Sequence, residues 1–413
     1  MQPLRIVHVA DAHLDTSFYG PDAALRRKLR DACQQAFKAA VDLAIRRRAH
    51  ALLIAGDLFD DGRLCLSTER FLLGEMARLK EARIAVFYAT GNQDPGRASH
   101  RAQQMESPDN VRLFTSIVPE TVAVADAQGQ QVGWLTAAGH NSPHETANLA
   151  ERFGASGDSL PHVALLHAHV LGAAGSDRHE PCAACRPGDL AGRGFDYWAL
   201  GHIHVHQKVV EDAPAWYAGN LQGRNPAETG LKGVLYVKVE KGRVSEPEFI
   251  PLASVVWDLC EVQCPVGAQS LAALSAELGR ELRRCIELDD GREHLVRMDL
   301  LGQSHLAAEL GRADRLRELT DAVQNETGLA WLEIRPLSVA RPMDLDRYGG
   351  SGSMLAEVRA LLDRLKADDA LLDRIRPEEL ARTDVRDARQ YLRSLLNRMD
   401  ADAASLLVSD KDR

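Results

Sequence analysis

Short apolar runs rich in β-branched residues recur along the first 250 positions of the chain: Leu4–Ala10, Ala51–Ala55, Arg83–Ala89, Thr121–Ala125, Val132–Thr136, His162–Leu166 and Tyr197–Leu200, then Val205–Val210, Trp216–Ala218 and Gly233–Val239. Each has strand length. Between the first three lie Asp22–Arg48 and Ser67–Lys80, with helical periodicity and enough residues for crossovers between parallel strands. The later strands follow one another without helices, which suggests a mixed or second sheet. The pattern predicts an α/β fold of two sheet layers with helices outside.

Near Pro251 the pattern changes. Ser254–Gln263, Leu295–Leu300 and Trp331–Pro336 read as strands, and Ala268–Cys285 and His305–Glu326 as helices. This β-α-β-α-β order predicts a small α+β domain. Gly349-Gly350-Ser351-Gly352-Ser353 reads as a flexible hinge. Beyond it, Met354–Leu407 is Leu-rich and charged, with Leu361, Leu362, Leu365, Leu371, Leu372 and Ile375 forming a stripe at helical spacing and Pro377 breaking the run. The expected division is 1–251, 252–345 and a helical region over 354–413.

Composition narrows the classes. With 45% hydrophobic and 26% charged residues in 413, the chain is neither disordered nor fibrous. Its net charge of −9 argues against a general polyanion binder, so any nucleic-acid contact needs a local cationic patch. Seven dispersed Cys fit a reducing compartment better than a disulfide framework. The N-terminus reads as a strand rather than a signal peptide, and no apolar run reaches the roughly 18–20 residues of a membrane span. A cytoplasmic, soluble protein is the expectation.

The chemistry lies at the strand ends. Asp11 and His13 follow the first predicted strand, Gly56-Asp57 the second, and Gly91-Asn92-Gln93-Asp94 the third; His167 closes the run Val163–Leu166, and Gly201-His202-Ile203-His204 follows Tyr197–Leu200. In α/β sheets the carboxyl ends of strands converge on a crevice. Two Asp, one Asn and four His offer oxygen and nitrogen donors without thiolates, which suits Mn, Fe or Zn better than Ca or Mg. Seven donors are too many for one tetrahedral ion and suit two ions sharing a carboxylate, with Asp57 the natural bridge. Two such cations activate a hydroxide and clamp a phosphoryl oxygen, which is phosphate-ester hydrolysis.

The ordered motifs D-x-H, G-D, G-N-x-D, a lone His and G-H-x-H resemble those of the calcineurin-like metallophosphoesterase family. VHVADAHLD, IAGDLFDDG, FDYWALGHIHVHQ and WYAGNLQGRNPAETGLKG are similar to the SbcD-like DNA-repair exonucleases, especially the YhaO-like branch. The resemblance covers about the first 250 residues and implies a two-sheet β-sandwich flanked by helices; the α+β domain that follows is read as a cap over its crevice. It implies one metal on Asp11, His13, Asp57 and His204, and a second on Asp57, Asn92, His167 and His202. Manganese is the first expectation, with iron or zinc as alternatives. It also implies DNA as substrate and an SMC-like coiled-coil ATPase as partner, with the C-terminal helices as docking element; a homodimer stays open.

One position departs from the family pattern. Gln93 stands where the family has a His that contacts the scissile phosphate and helps protonate the leaving oxygen, oriented by the residue matching Asp94. Gln donates a hydrogen bond but exchanges no proton near neutral pH. His140 and His144 are candidates to replace it. A DNA-end-binding or scaffolding subunit with a weakened site is therefore one alternative reading, and a small-nucleotide phosphodiesterase another. Arg97 and Arg224 are candidate phosphate contacts, and the Arg- and Lys-rich stretch Leu25–Arg48 a candidate polyanion track. His8 reads as a core histidine; His169 and His206 share a face with proposed ligands. Cys182-Ala183-Ala184-Cys185 has no second pair at zinc spacing.

Overall fold

The computed structural model describes residues 3–20, 23–97, 99–155, 159–211, 213–244, 246–286, 291–342, 354–377, 380, 388–396 and 399. The hinge 349–353 and much of the region after Pro377 lie outside them. The chain divides into two compact units: one runs to Asp258 and includes Gly291–Leu295, and the other holds Leu259–Asp290 and the residues from Val296 onward.

The first unit is built on two sheets. In the first, parallel strands β1 (Leu4–Val9), β2 (Ala51–Ala55), β3 (Ala85–Ala89) and β4 (Val111–Phe114) lie side by side. Helices α1 (Ala23–Arg46) and α2 (Leu66–Glu81) join the first three, and the short α3 (Arg101–Gln104) precedes β4. In the second sheet, β5 (Glu120–Ala125) pairs antiparallel with β6 (Gln131–Ala138). Next come β7 (His162–His167) and, after the single turn α4 (Pro187–Leu190), β8 (Tyr197–Gly201), both parallel to β6. The edge is β10 (Ala215–Tyr217) and the two-residue β9 (Gln207–Lys208). The chain then returns to the first sheet: β11 (Gly233–Glu240) pairs antiparallel with β1, and β12 (Arg243–Val244) and β13 (Glu248–Pro251) pair with β11.

Alternation explains why the sheets stack. Leu4 and Ile6 of β1, Leu53 of β2 and Phe87 of β3 share one apolar core with Leu135, Val163, Leu165 and Tyr197 of the second sheet. His8, on the same face of β1, places Nδ1 3.0 Å from the Tyr197 hydroxyl and Nε2 3.1 Å from the Leu200 carbonyl. It is a satisfied core histidine, as the sequence suggests. The outer face of the second sheet is covered by Leu149, Phe153, Leu190 and Phe195 around Trp198. This is the two-sheet sandwich with outer helices that the resemblance implies.

The differences from the sequence reading have local causes. The strand expected over Val205–Val210 shrinks to β9, because Val205 is exposed and His206 stacks between Trp216 and Phe249 instead of extending a ladder. Strands β4 and β13 are four residues each, the first interrupted by Arg112 and the second running from Glu248 to Pro251, too short to stand out. The Arg- and Lys-rich face of α1 is partly neutralised: Lys28 meets Glu293, Arg30 meets Asp15, and Arg26 donates to the Gly20 carbonyl.

In the second unit, β15 (Glu293–Gln303) lies between β14 (Val255–Gln263) and β16 (Trp331–Ala340), β14 and β15 each beginning in the first unit, with α5 (Leu271–Cys285) between them in sequence. Ser270 caps α5 by accepting from the Ala273 amide. The helix expected over His305–Glu326 is split at Gly311 into α6 (Ala307–Leu310) and α7 (Ala313–Thr327). Leu274, Leu278, Met298, Leu319 and Ile334 form its core. Helices α8 (Met354–Ala367) and α9 (Asp369–Arg374) follow, the second capped by Asp368. The Leu stripe divides: Leu362 and Leu372 are buried with Leu392 and Leu396, while Leu361 and Ile375 are exposed. Among the described residues, no helix is long and apolar enough to cross a membrane.

Candidate metal centre

Five strand ends of the first unit meet at one place. The loops after β1 and β2 run together: the Asp11 amide donates to the Gly56 carbonyl (3.2 Å), His13 to Asp57 (2.9 Å) and Leu14 to Leu58 (3.0 Å). Asp11, His13 and Asp57 all hold left-handed backbone, at φ 48°, 46° and 50°, and His202 lies at φ 107°. Non-glycine residues rarely adopt such angles, and a run of them at one point is strain retained for what it positions. Two glycines make room: a Cβ at Gly56 would fall on the His167 ring, and one at Gly91 on the Asp57 carboxylate.

All seven predicted donors converge. Asp11, His13 and His204 form one cluster, and Asp11, Asp57 and His167 another. Asp57 Oδ2 lies 3.8 Å from His13 Nε2 and 3.6 Å from His167 Nε2, between the two groups. Asn92 Oδ1 is 3.0 Å from His167 Nε2 and 3.3 Å from His202 Nδ1. Asp11 accepts the His202 amide on both oxygens. Its place in both clusters makes it, with Asp57, a carboxylate lying between the two halves of the site.

The far side of each imidazole fixes its tautomer. His13 Nδ1 faces Asp60 Oδ1 (2.8 Å), His204 Nδ1 faces Glu228 Oε1 (2.8 Å), His167 Nδ1 faces the Ala55 carbonyl (2.9 Å), and His202 Nε2 faces the Glu180 carbonyl (3.1 Å). Each of these partners only accepts, which places the proton on those nitrogens; His204 Nδ1 also has the Arg224 guanidinium at 3.1 Å, and the shorter contact to the Glu228 carboxylate decides for the same tautomer. The opposite nitrogens therefore present lone pairs, and they point at one another: His13 to His204 at 3.2 Å and His202 to His167 at 3.3 Å. Burial pushes His167 and His204 well below the usual imidazole range, and burial with His167 alongside takes His202 to about 2. Facing lone pairs, with carboxylates beside them, are repulsive unless a cation lies between. Burial and the neighbouring Asp57 likewise push the Asp11 carboxyl well above the carboxylate range, a cost that a cation relieves. The residues present thus fit two divalent cations.

Asp94 acts differently from the expected orienter of residue 93. Its carboxylate accepts from the amides of Gly91 (2.6 Å), Asp57 (3.1 Å) and Leu58 (2.6 Å), and from the Tyr88 hydroxyl. It pins the β2 and β3 loops to each other. Burial and Asp57 push it up to about 7. Gln93 is exposed, and its backbone N–H donates to Asp57 Oδ1 (2.9 Å). With Asn92, it lines a cavity of about 800 Å³ whose wall also includes Asp61, Arg63, His100 and His144.

Of the two candidate replacements for the missing His, His140 is excluded. It is fully buried, with Nε2 2.7 Å from the His167 carbonyl and Nδ1 3.5 Å from Cys182 Sγ. His144 is exposed on the cavity wall. Arg224 is held by Glu228 through contacts of 2.8 and 3.0 Å, so its guanidinium braces the site from behind. Arg97 is exposed beyond the β3 loop. Both thiols of the C-x-x-C are buried, which pushes Cys182 up to about 11 and Cys185 to about 12 and keeps them protonated. His169 packs its ring 5.4 Å from His202, and its buried Nδ1 has no partner; His206 belongs to the aromatic stack instead. Sequence reasoning missed Asp60, Glu228 and His179, whose ring lies 4.5 Å from that of His204. Asp60 had a signal, three residues beyond Asp57; the other two had none.

A two-sheet α/β sandwich with seven oxygen and nitrogen donors at its strand ends has the architecture of a metallophosphoesterase domain. Residues 4–206 match the calcineurin-like phosphoesterases, and this part of the chain belongs to that metallophosphoesterase family. The chain is 33% identical over 276 residues to the uncharacterised metallophosphoesterase YhaO of Bacillus subtilis, covering 66% of this chain and 65% of YhaO. It is 30% identical over 221 residues to the DNA double-strand break repair protein Mre11 of Aeropyrum pernix, covering 52% of each. To Mre11 of Methanopyrus kandleri it is 22% identical over 265 residues, covering 60% of this chain and 56% of that one. The matches thus span between half and two thirds of these relatives' lengths.

Proposed function

We propose that the protein is a metal-dependent phosphodiesterase acting on DNA. The observation that carries the hydrolytic part is the convergence of seven oxygen and nitrogen donors, four of them imidazoles whose ring nitrogens face one another in two pairs. The likeness to two proteins named for double-strand break repair supports DNA as the substrate. When bound, the cations supply Lewis-acid activation of water and of the phosphoryl group. The chain's own residues do the rest: the imidazoles of His13, His167, His202 and His204 and the carboxylates of Asp11 and Asp57 fix the ligand positions, and the Gln93 amide meets a phosphate oxygen at the cavity wall. Manganese suits the donor set, as do iron and zinc.

Gln93 supports a second reading, a slow site in a DNA-end-binding subunit. Gln93 transfers no proton, and His140 is sealed in the core, which leaves His144 as the exposed imidazole on the cavity wall. Exposed Leu361, Ile375, Tyr391 and Met399 in the C-terminal helical region support docking to a coiled-coil ATPase partner. The discriminating experiment uses Mn²⁺-loaded protein on bis-p-nitrophenyl phosphate and on linear duplex DNA. Turnover of both that vanishes in Asp57→Ala supports the nuclease; metal binding with DNA binding but no turnover of either supports the second reading.

A further inference from the structure

The two imidazole pairs differ in what stands behind them. His13 and His204 are backed by the carboxylates of Asp60 and Glu228, each at 2.8 Å. His167 and His202 are backed by the neutral carbonyls of Ala55 and Glu180, at 2.9 and 3.1 Å. Asp11 and Asp57 lie beside both pairs and do not distinguish them, Asp11 Oδ1 being 3.9 Å from both His204 Nε2 and His167 Nδ1, whereas the neutral Asn92 amide stands beside His167 and His202 alone.

We infer that the two cation positions bind with unequal affinity, that the His13–His204 position fills first, and that Asp60 and Glu228, acting through those imidazoles, set the difference. The inference rests on the two-cation reading above. A carboxylate behind a ligating imidazole locks its tautomer and raises its basicity, and an anion one ring away also attracts the cation directly. A backbone carbonyl locks the tautomer but adds no net charge. The Arg224 guanidinium, 2.8 Å from Glu228 Oε1, offsets part of that carboxylate's charge. Asp60 feels the Arg224 charge only through space, and besides His13 its carboxylate accepts a neutral hydroxyl, from Thr16 at 2.6 Å. Asp60 is therefore the stronger of the two positioning residues.

The test is titration of metal-free protein with Mn²⁺, followed by calorimetry and by electron paramagnetic resonance. The expected result is two steps, the first at least about tenfold tighter, with an isolated-ion spectrum after one equivalent and a spin-coupled spectrum only after the second. Removing a group behind a ligand typically costs about 10–100-fold in metal affinity, so Asp60→Asn and Glu228→Gln each weaken the first step by about tenfold or more and leave the second near its original value. Asn92→Ala removes the second step and keeps the first. Circular dichroism checks folding; if Glu228→Gln unfolds because Arg224 loses its partner, Asp60→Asn decides alone. Two steps of equal affinity, spin coupling from the first addition, or a first step unmoved by Asp60→Asn would overturn the inference while leaving the two-cation reading intact. Protein that binds no Mn²⁺ overturns both.

Discussion

The two sheets face each other across one core yet bring different chemistry to their shared site. The first sheet supplies oxygen donors, Asp11, Asp57 and Asn92, with a single imidazole, His13. The second supplies imidazoles alone, His167, His202 and His204. On the first side the carboxylates sit in loops with left-handed backbone, cross-pinned through Asp94. On the second, His167 is the last residue of its own strand and needs no special turn. Buried anions are costly and must be held by amides and neighbouring loops, whereas neutral imidazoles can stand on a strand end at little cost. The oxygen side is thus the more constrained half, while on the nitrogen side the backbone strain is confined to His202, at φ 107°.

Asp57→Ala breaks the comparison most severely. It removes the carboxylate between the two halves, so bound metal falls to near zero and phosphodiester turnover drops to background, measured by elemental analysis and a chromogenic assay. His202→Ala, on the nitrogen side, abolishes turnover too but keeps one cation per chain. Gln93→His sharpens the oxygen side by restoring a proton donor: a positioned acid is worth about 10²–10⁴ in rate, so DNA cleavage rises by that order. No rise would mean that His144 already supplies the proton, and Gln93→His with His144→Ala would then separate the two. Asp94→Asn loses a negative charge that accepts four hydrogen bonds, and the loosened loops cost about tenfold or more in metal affinity.

Much of the oxygen and nitrogen sets was legible in the sequence, because each donor follows a short apolar run and strand ends in an α/β sheet share one rim. Asp94 was visible as a site residue, but its work as a pin was not, since its partners Asp57 and Leu58 belong to another loop. Glu228 lies 24 residues beyond His204 in an irregular stretch, and no periodic pattern marks such a contact. The Leu stripe was legible as helix, but not which leucines turn inward. Strand β4, four residues with Arg112 in the middle, is recognisable only by its pairing with β3.

The smallest expected effect concerns the core between the sheets. Burial takes His8 to about 3, so the folded protein keeps it neutral while the unfolded chain protonates it near 6.5. The unfolded state then binds the extra proton between those values, and stability contributed by neutral His8 is present above about pH 6.5 and lost as pH falls toward 3. Melting temperature should fall as pH is lowered through that window, and less steeply in His8→Asn.

The most direct measurement is an anomalous diffraction map of crystals soaked in Mn²⁺. Two peaks roughly 3.5–4 Å apart, one beside His13 and His204 and the other beside Asn92, His167 and His202, are the predicted result. A lone peak at saturating metal, or peaks remote from these side chains, would contradict it.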